Sequence, residues 1–196
     1  MLEPSAQLHD KILEAMTAPG QQFEVTEAEI RGNTYKVFKN APASVAQYLG
    51  LAMTHKDKDF LVYEGERYTY GDTYLRAHAL AHYLREEYDI GKGDKVVIAM
   101  RNYPEWVIAF MGCMLLGAVV VPLNAWWLPE ELVYALGDSD AKFAIVDAAR
   151  AERFSTIPHD ERPPCLVVRA EFDVPRGMSR LEDSILTSGK MVEPLE

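Results

Sequence analysis

The stretch from Lys95 to Asp147 constrains the fold more than any other part of the chain. Three short runs of apolar, often β-branched residues alternate there with two helix-like segments, in the order KVVIAM, VIAFMGCMLLGA, VVVPLN, PEELVYALGDSDA and KFAIVD. This β-α-β-α-β order is typical of parallel strands joined by crossover helices. Because the strand runs are apolar at nearly every position, we expect helices to cover both faces of the sheet. The predicted fold class is therefore α/β, with three layers and a mostly parallel sheet.

The N-terminal part is predicted to add a helical and β-hairpin extension to this core. The runs FLVYE and RYTY flank Gly65, which indicates a hairpin over Phe60–Tyr70. The segment Phe23–Phe38 mixes polar and β-branched residues, and we expect irregular, extended chain that wraps a larger body. Apolar residues at helical spacing predict three helices, at Pro4–Thr17, after Ser44 and at Thr73–Tyr88.

The longest uncharged segment is predicted to be a buried helix followed by a buried strand. Residues Trp106–Leu123 form 18 uncharged positions, the length at which a membrane-spanning helix becomes possible. Gly117 and Pro122 interrupt the segment, so we expect the helix to end near Gly117 and no transmembrane segment to exist. The helix, which starts at Asn102 or at Tyr103-Pro104, has an interior that is apolar on all sides and should be buried on more than one side.

The rest of the chain completes the predicted organisation. A fourth strand is expected at Cys165–Arg169, and the sequence beyond Phe172 is polar and turn-rich. We therefore divide the chain into an N-terminal helix and wrapping segment at 1–42, an α/β core at 43–170 and a loop-rich tail at 171–196.

Charge and cysteine usage restrict the partners and the compartment. The 196-residue chain has a formal net charge of −10 and a pI near 5.0, which disfavours binding to nucleic acid because the summed field repels polyanions. Cys113 and Cys165 lack the spacing of metal ligands and lie in apolar runs, so both are expected to be buried thiols. With no signal peptide at the N-terminus, these features favour a reducing compartment and predict a cytoplasmic protein.

Three short motifs suggest chemistry that their context does not support. The Gly-x-Gly of Gly91–Asp94 precedes a strand, whereas phosphate-binding glycines follow one, so it is interpreted as a turn. His78 and His82 have a spacing that can hold a metal, but no carboxylate separates them, and we interpret them as a surface or interface pair. The sequence Thr187–Lys190 lacks the upstream glycine of a phosphate loop and is interpreted as a plain loop.

Ligands of parallel α/β sheets bind beyond the carboxyl ends of the strands. These ends are predicted at Met100–Asn102, Leu123-Asn124 and Val146-Asp147. Trp126 and Trp127 follow the second of them and cannot share one helical face. One indole is then expected to pack and the other to face a crevice, and interior packing of both is the alternative.

Three segments resemble the N-terminal part of ATP-dependent acyl-CoA synthetases, members of the adenylate-forming superfamily. They are Tyr68–Asp72, GKGDKVVIAMRNYPEWVIAFMGCMLLGAVVVPLNAWW and PEELVYALGDSDAKFAIVD, and the resemblance extends from about Ala43 to Val146. The Asn124–Trp127 variant resembles fatty-acyl-CoA ligases most, and aryl-CoA ligases are the alternative. The resemblance implies ATP, Mg²⁺ and coenzyme A as cofactors of a complete enzyme that activates a carboxylic acid.

The motifs that carry this chemistry in the family have no matching position in the chain. We therefore assign no catalytic, cofactor-binding or metal residue, and we expect an inactive N-terminal fragment that binds none of these molecules tightly. The alternative is a standalone, non-catalytic binding module on the same scaffold. The fourth helix and the missing remainder should leave an exposed apolar patch, so a homodimer is possible.

Overall fold

The computed structural model describes residues 4–193, with side chains from residue 6 onward. The chain forms two compact units, Met1–Ala43 and Ser44–Glu196. The first unit contains helix α1 at Pro4–Thr17 and strands β1 at Val25–Ile30 and β2 at Asn33–Phe38. Helix α1 is confirmed with its predicted bounds.

Strands β1 and β2 form an antiparallel hairpin, so the prediction of irregular chain over Phe23–Phe38 is wrong. Ile30 pairs with Asn33 across a two-residue turn formed by Arg31 and Gly32. Both turn residues have positive φ, 52° and 79°, as a tight hairpin turn with the right-handed strand twist requires. The signal was weak because arginine rarely occupies the first position of such a turn, where asparagine, aspartate or glycine is usual.

The second unit contains six α-helices, a 3₁₀ turn at Leu51–His55 and seven strands in its described part. Its helices are α2 Val45–Gly50, α3 Tyr70–Tyr88, α4 Pro104–Leu115, α5 Pro129–Ser139, α6 Ala148–Ser155 and α7 Asp183–Leu186. Its strands are β3 Asp59–Tyr63, β4 Glu66–Thr69, β5 Lys95–Ala99, β6 Val119–Pro122, β7 Phe143–Asp147, β8 Cys165–Val168 and β9 Met178–Arg180. Strands β3 and β4 pair as the predicted hairpin.

A five-stranded parallel sheet in the order β6-β5-β7-β8-β9 organises this unit. Alternate residues of its strands face two separate apolar clusters, because successive side chains of a strand point to opposite faces. Val96 and Ile98 of β5 face the cluster that contains residues of α3 and α4. Val97 and Ala99 face the cluster that contains residues of α5 and α6. The predicted three-layer α/β fold is therefore confirmed.

Three elements of this unit were not predicted. Helix α6 has eight residues, β9 has three and α7 has four, so each is too short for a clear periodic pattern. Strand β9 closes the edge of the sheet, and Val192, near the end of the described chain, is buried in the cluster of α3 and α4.

Helix α4 is covered, so the predicted apolar patch on it is wrong. No side chain from Pro104 to Leu115 is exposed, because α3 packs along the helix and α2 and β3 also contact it. The contact with α3 is close at Gly112, where an added Cβ would lie 3.1 Å from the carbonyl oxygen of Ala77. A homodimer therefore stays a prediction without a surface on α4 to support it.

Helix α3 begins with a reciprocal cap that provides a test of local stability. The Thr69 hydroxyl accepts from the Asp72 amide at 3.0 Å, and the Asp72 carboxylate accepts from the Thr69 amide at 3.1 Å. We expect Thr69→Ala to lower the free energy of unfolding by about 1 kcal/mol, because it leaves a helix-end N–H without its partner. Urea denaturation followed by circular dichroism measures the change. Thr54→Ala, at an exposed hydroxyl outside any cap, is the control and should change stability by less than half as much.

Candidate functional site

The candidate site lies where the parallel strands β5, β6 and β7 end. The chain passes from β5 to β6 on one side and then returns to β7 on the other side of β5. This reversal of strand order is a topological switch point, where α/β proteins bind ligands. Arg101, just after β5, donates its backbone N–H to Asp147 Oδ2 at 3.0 Å, so one hydrogen bond joins the two strand ends.

Asp147 and Arg150 form a buried ion pair at the start of α6. Arg150 Nη1 lies 3.0 Å from Asp147 Oδ2, and the two side chains are only 4% and 3% exposed. Asp147 also caps α6, because its Oδ1 accepts from the Arg150 backbone N–H at 2.9 Å. The Asp147 carboxylate therefore accepts from two backbone amides and one guanidinium, which satisfies it although it is buried.

Two arginines of α6 fix the loop that follows β6. Arg150 Nε donates to the carbonyl oxygen of Ala125 at 2.7 Å. Arg153 Nη1 donates to the same oxygen at 3.1 Å and to that of Trp127 at 2.8 Å. Trp127 packs against the cluster of α5 and α6, whereas Trp126 is 74% exposed. The predicted division between an interior and an exposed indole is confirmed.

Arg169 is the centre of a charged and aromatic cluster that sequence reasoning missed. It follows β8 with a φ of 52° and makes two hydrogen bonds of 2.8 Å to the Glu66 carboxylate. Its Nε lies 3.0 Å from both carboxylate oxygens of Glu105. The rings of Tyr63 and Tyr103 lie 5.1 and 4.8 Å from its guanidinium carbon.

This cluster attaches the β3–β4 hairpin to the end of the sheet. The hydrogen bonds from Arg169 hold the pKa of the Glu66 carboxyl below its usual value. Hydrogen bonds to Glu66 and Glu105 in turn raise the pKa of Arg169. Arg169 and Glu66 therefore both stay charged across the physiological pH range.

Two adjacent cavities of about 280 and 320 Å³ open at these strand ends, and we call them together the strand-end crevice. Arg101, Tyr103 and Trp126 line both cavities. Arg150 and Arg169 also line the larger one, but carboxylates already neutralise them. The Arg101 side chain makes no hydrogen bond or ion pair with any residue from 4 to 193. The crevice therefore presents an unpaired cation beside an exposed indole, which suits an anionic group with an apolar or aromatic part.

His78 is buried, so the predicted surface histidine pair is wrong for this residue. His78 is 1% exposed, and its Nδ1 accepts from the Val192 backbone N–H at 3.3 Å. It lies on the side of α3 that also buries Ala77, Leu80 and Ala81. The Nε2 atom of His78 is buried without a hydrogen-bond partner.

The burial of His78 predicts a pH dependence of stability. Burial lowers the pKa of His78 from its ordinary value of 6.5. Below pH 6.5 the unfolded chain therefore binds a proton that the folded chain does not, and the free energy of unfolding falls until the folded-state pKa is reached. Urea denaturation between pH 7.5 and 5 should show this loss, and His78→Gln should reduce it. An unchanged slope in His78→Gln, with His82→Gln as control, would contradict the assignment.

The other short motifs carry no ligand-binding geometry. Gly91–Asp94 is a turn, in which the Asp94 amide donates to the Gly91 carbonyl at 3.2 Å. Thr187–Lys190 is a loop after α7. No group of three His, Cys, Asp or Glu side chains within residues 4–193 could hold a metal ion. No helix in the same range is long and apolar enough to cross a membrane.

Comparison with known proteins assigns the family. The sequence profile of the family described as AMP-binding enzyme matches residues 51–190. The chain belongs to this family. The match includes the entire five-stranded sheet and the strand-end crevice. It also confirms the resemblance to the adenylate-forming superfamily that the sequence predicted.

Curated relatives of this family member include ligases for different acids. A 4-hydroxybutyrate–CoA ligase of Metallosphaera sedula is 37% identical over 47% of the chain, which corresponds to 17% of the relative. A 3-hydroxybenzoate–CoA/4-hydroxybenzoate–CoA ligase of Thauera aromatica is 35% identical over 50% of the chain and 17% of the relative. The mouse long-chain fatty acid transport protein 6 is 26% identical over 88% of the chain and 28% of the relative. The chain thus spans 17 to 28% of the length of these relatives.

Solved structures of the family share the fold. The N-terminal domain of FACL13 from Mycobacterium tuberculosis superposes with a TM-score of 0.63 and 26% identity, over 79% of this chain and 38% of that one. A benzoate CoA ligase from Burkholderia xenovorans gives a TM-score of 0.64 at 21% identity, over 78% of this chain and 30% of that one.

Proposed function

We propose that the chain is the N-terminal part of an AMP-forming acyl-CoA ligase. The observation that carries the proposal is the family match over residues 51–190 together with relatives that are named as CoA ligases. The small share of each relative that the chain covers supports a longer parent enzyme.

The proposed reaction has two steps. A carboxylate oxygen attacks the α-phosphorus of ATP, an O–P bond forms, and pyrophosphate leaves with the electrons of the broken P–O bond. The thiolate of coenzyme A then attacks the acyl carbon, and AMP leaves as the thioester forms. Mg²⁺ would neutralise phosphate charge when bound. We propose that its ligands lie in the rest of the parent enzyme.

In this proposal the chain supplies scaffold and one wall of the substrate site, and no catalytic residue. The carboxylic acid, ATP and coenzyme A are all anions, and the unpaired Arg101 in the strand-end crevice gives that wall a favourable charge. The loop around Trp126 is held in place by Arg150 and Arg153, so the wall is preorganised before a substrate arrives.

Within this class we propose a fatty acid as the substrate. The support is the mouse fatty acid transport protein, whose similarity extends over 88% of the chain. An aryl acid is the alternative, supported by the hydroxybenzoate–CoA ligase over half of the chain. Thioester formation by the parent enzyme with matched panels of fatty and benzoic acids separates the two, and faster turnover of the benzoic acids would reject the fatty-acid assignment.

Titration calorimetry of the 196-residue chain with Mg·ATP tests its role as scaffold. We expect no binding with micromolar affinity, because the sequence offers no match to the family's phosphate loop and residues 4–193 contain no group of three metal-ligating side chains. Micromolar binding, or a stop codon directly after codon 196 in an intact genome, would argue for a standalone binding module instead.

A further inference from the structure

A separate cavity of about 540 Å³ lies at the amino ends of strands β8 and β9. It is formed where α6 ends and where β8 and β9 begin, whereas the strand-end crevice lies at the other end of these parallel strands. We call it the amino-edge cavity. Its lining residues are Ser155, Thr156, Ile157, Pro158, His159, Arg162 and Arg176.

Three nitrogen-bearing side chains converge on one wall of the amino-edge cavity. Arg162 Nη2 donates to the carbonyl oxygen of Arg176 at 2.8 Å, which ties the Arg162 guanidinium to the backbone at Arg176. The His159 ring lies against Gly177, where a Cβ would be 2.8 Å from ring atoms and 3.7 Å from Arg162 Nη2. Gly177 also has a φ of 79°, which other residues rarely adopt. The glycine thus allows the imidazole and the guanidinium to meet at the backbone.

The positive charge of this wall is not neutralised by the described protein. Arg162 Nε is buried without a hydrogen-bond partner, and neither Arg162 nor Arg176 forms an ion pair with a carboxylate in residues 4–193. The nearby Cys165 thiol is also neutral at pH 7, because burial raises its pKa to about 11 although Arg162 acts in the opposite direction. An anion in the cavity would neutralise the two arginines that line it, since no described carboxylate pairs with them.

Two features oppose an anion here, and both are weaker than the arginines at short range. The C-terminus of α6 carries about half a negative charge, but its last carbonyls already accept hydrogen bonds from the Ser155 and Thr156 hydroxyls. The net charge of −10 slows the approach of anions over long distances. Salt screens that field beyond about 10 Å, so it has little effect on a contact inside the cavity.

We propose that the amino-edge cavity binds a phosphate group, free or carried by a small molecule, between Arg162, Arg176 and His159. Planar guanidinium groups match tetrahedral oxyanions with paired N–H donors, which a carboxylate-free arginine pair leaves available. The volume exceeds that of one phosphate and falls in the range of small-molecule sites.

The test is an NMR titration of the 196-residue chain with inorganic phosphate at constant ionic strength, with AMP as a second arm. We expect saturable shifts of the His159 ring signals and of the Arg176 and Gly177 amides. Arg176→Gln should weaken this binding at least about tenfold, and Arg176→Lys should recover part of it. Arg67→Gln, at an exposed arginine of the β3–β4 hairpin, is the matched control and should change it by less than about twofold. If AMP binds more tightly than inorganic phosphate, the ligand is a small molecule that carries a phosphate group. If inorganic phosphate binds more tightly, the ligand is the free ion.

Three results would overturn the proposal. The first is no saturable shift of the His159 signals below about 10 mM of either probe. The second is an affinity at these signals that Arg176→Gln leaves unchanged, and the third is a loss of affinity in Arg67→Gln as large as that in Arg176→Gln. Because Arg176 is exposed, its substitution should not disturb folding. An unchanged urea midpoint of Arg176→Gln verifies this.

Discussion

Asp147→Ala is expected to lower the free energy of unfolding by about 3–5 kcal/mol, the typical loss when one partner of a buried ion pair is removed. The substitution leaves the Arg150 guanidinium buried and uncompensated, since that side chain is only 4% exposed. It also removes the cap of α6 and the acceptor of the Arg101 amide. Urea denaturation at neutral pH measures the change.

A matched control and a double variant separate the ion pair from the other losses. Asp59→Ala breaks an exposed pair with Arg67 and should cost less than about 1 kcal/mol. Asp147→Ala combined with Arg150→Met removes both charges, and it should be less destabilised than Asp147→Ala alone. If the double variant is at least as unstable as Asp147→Ala, the buried charge is not the cause.

Phe154→Ala is expected to cost about 3–5 kcal/mol, as large-to-small substitutions of buried phenylalanine do. Phe154 is fully buried on α6, in the cluster between α5, α6 and the sheet. The cavity left behind should also loosen α6, whose Arg150 and Arg153 hold the loop around Trp126. A second readout is therefore faster hydrogen exchange of the Trp127 amide.

Phe172→Ala is the control for this substitution, because Phe172 is 37% exposed and belongs to neither cluster. It should cost less than about half as much. A loss below about 1 kcal/mol for Phe154→Ala would mean that α6 is not anchored through this side chain.

The core of the fold could be predicted because its signal is local. The runs around Val97 and Ile145 are apolar on both faces of each strand, which is typical of a covered parallel sheet. The prediction of a buried strand around Val121 is wrong, because β6 is an edge strand and is only partly buried. The same local pattern could not show the partner of each strand, and it failed for β9 because three residues carry no periodicity.

The candidate site was predicted only in part because its contacts join distant positions. The strand ends near Arg101 and Asp147 followed from the topology of the sheet. The ion pairs of Arg169 with Glu66 and Glu105 span 103 and 64 positions, and no spacing in the sequence indicates them. His78 was assigned to the surface because a histidine pair at helical spacing is usually exposed. The packing of α3 against the rest of the unit buries it instead.

The most direct test of the account is an assay of acyl-CoA and AMP formation from ATP, coenzyme A and a panel of carboxylic acids. The assay compares the 196-residue chain with the same chain extended by the coding sequence that follows codon 196. We predict no turnover by the chain alone and thioester formation by the extended protein. Turnover by the 196 residues alone, or none by the extended protein with any acid, would contradict the assignment of this chain as the scaffold of an acyl-CoA ligase.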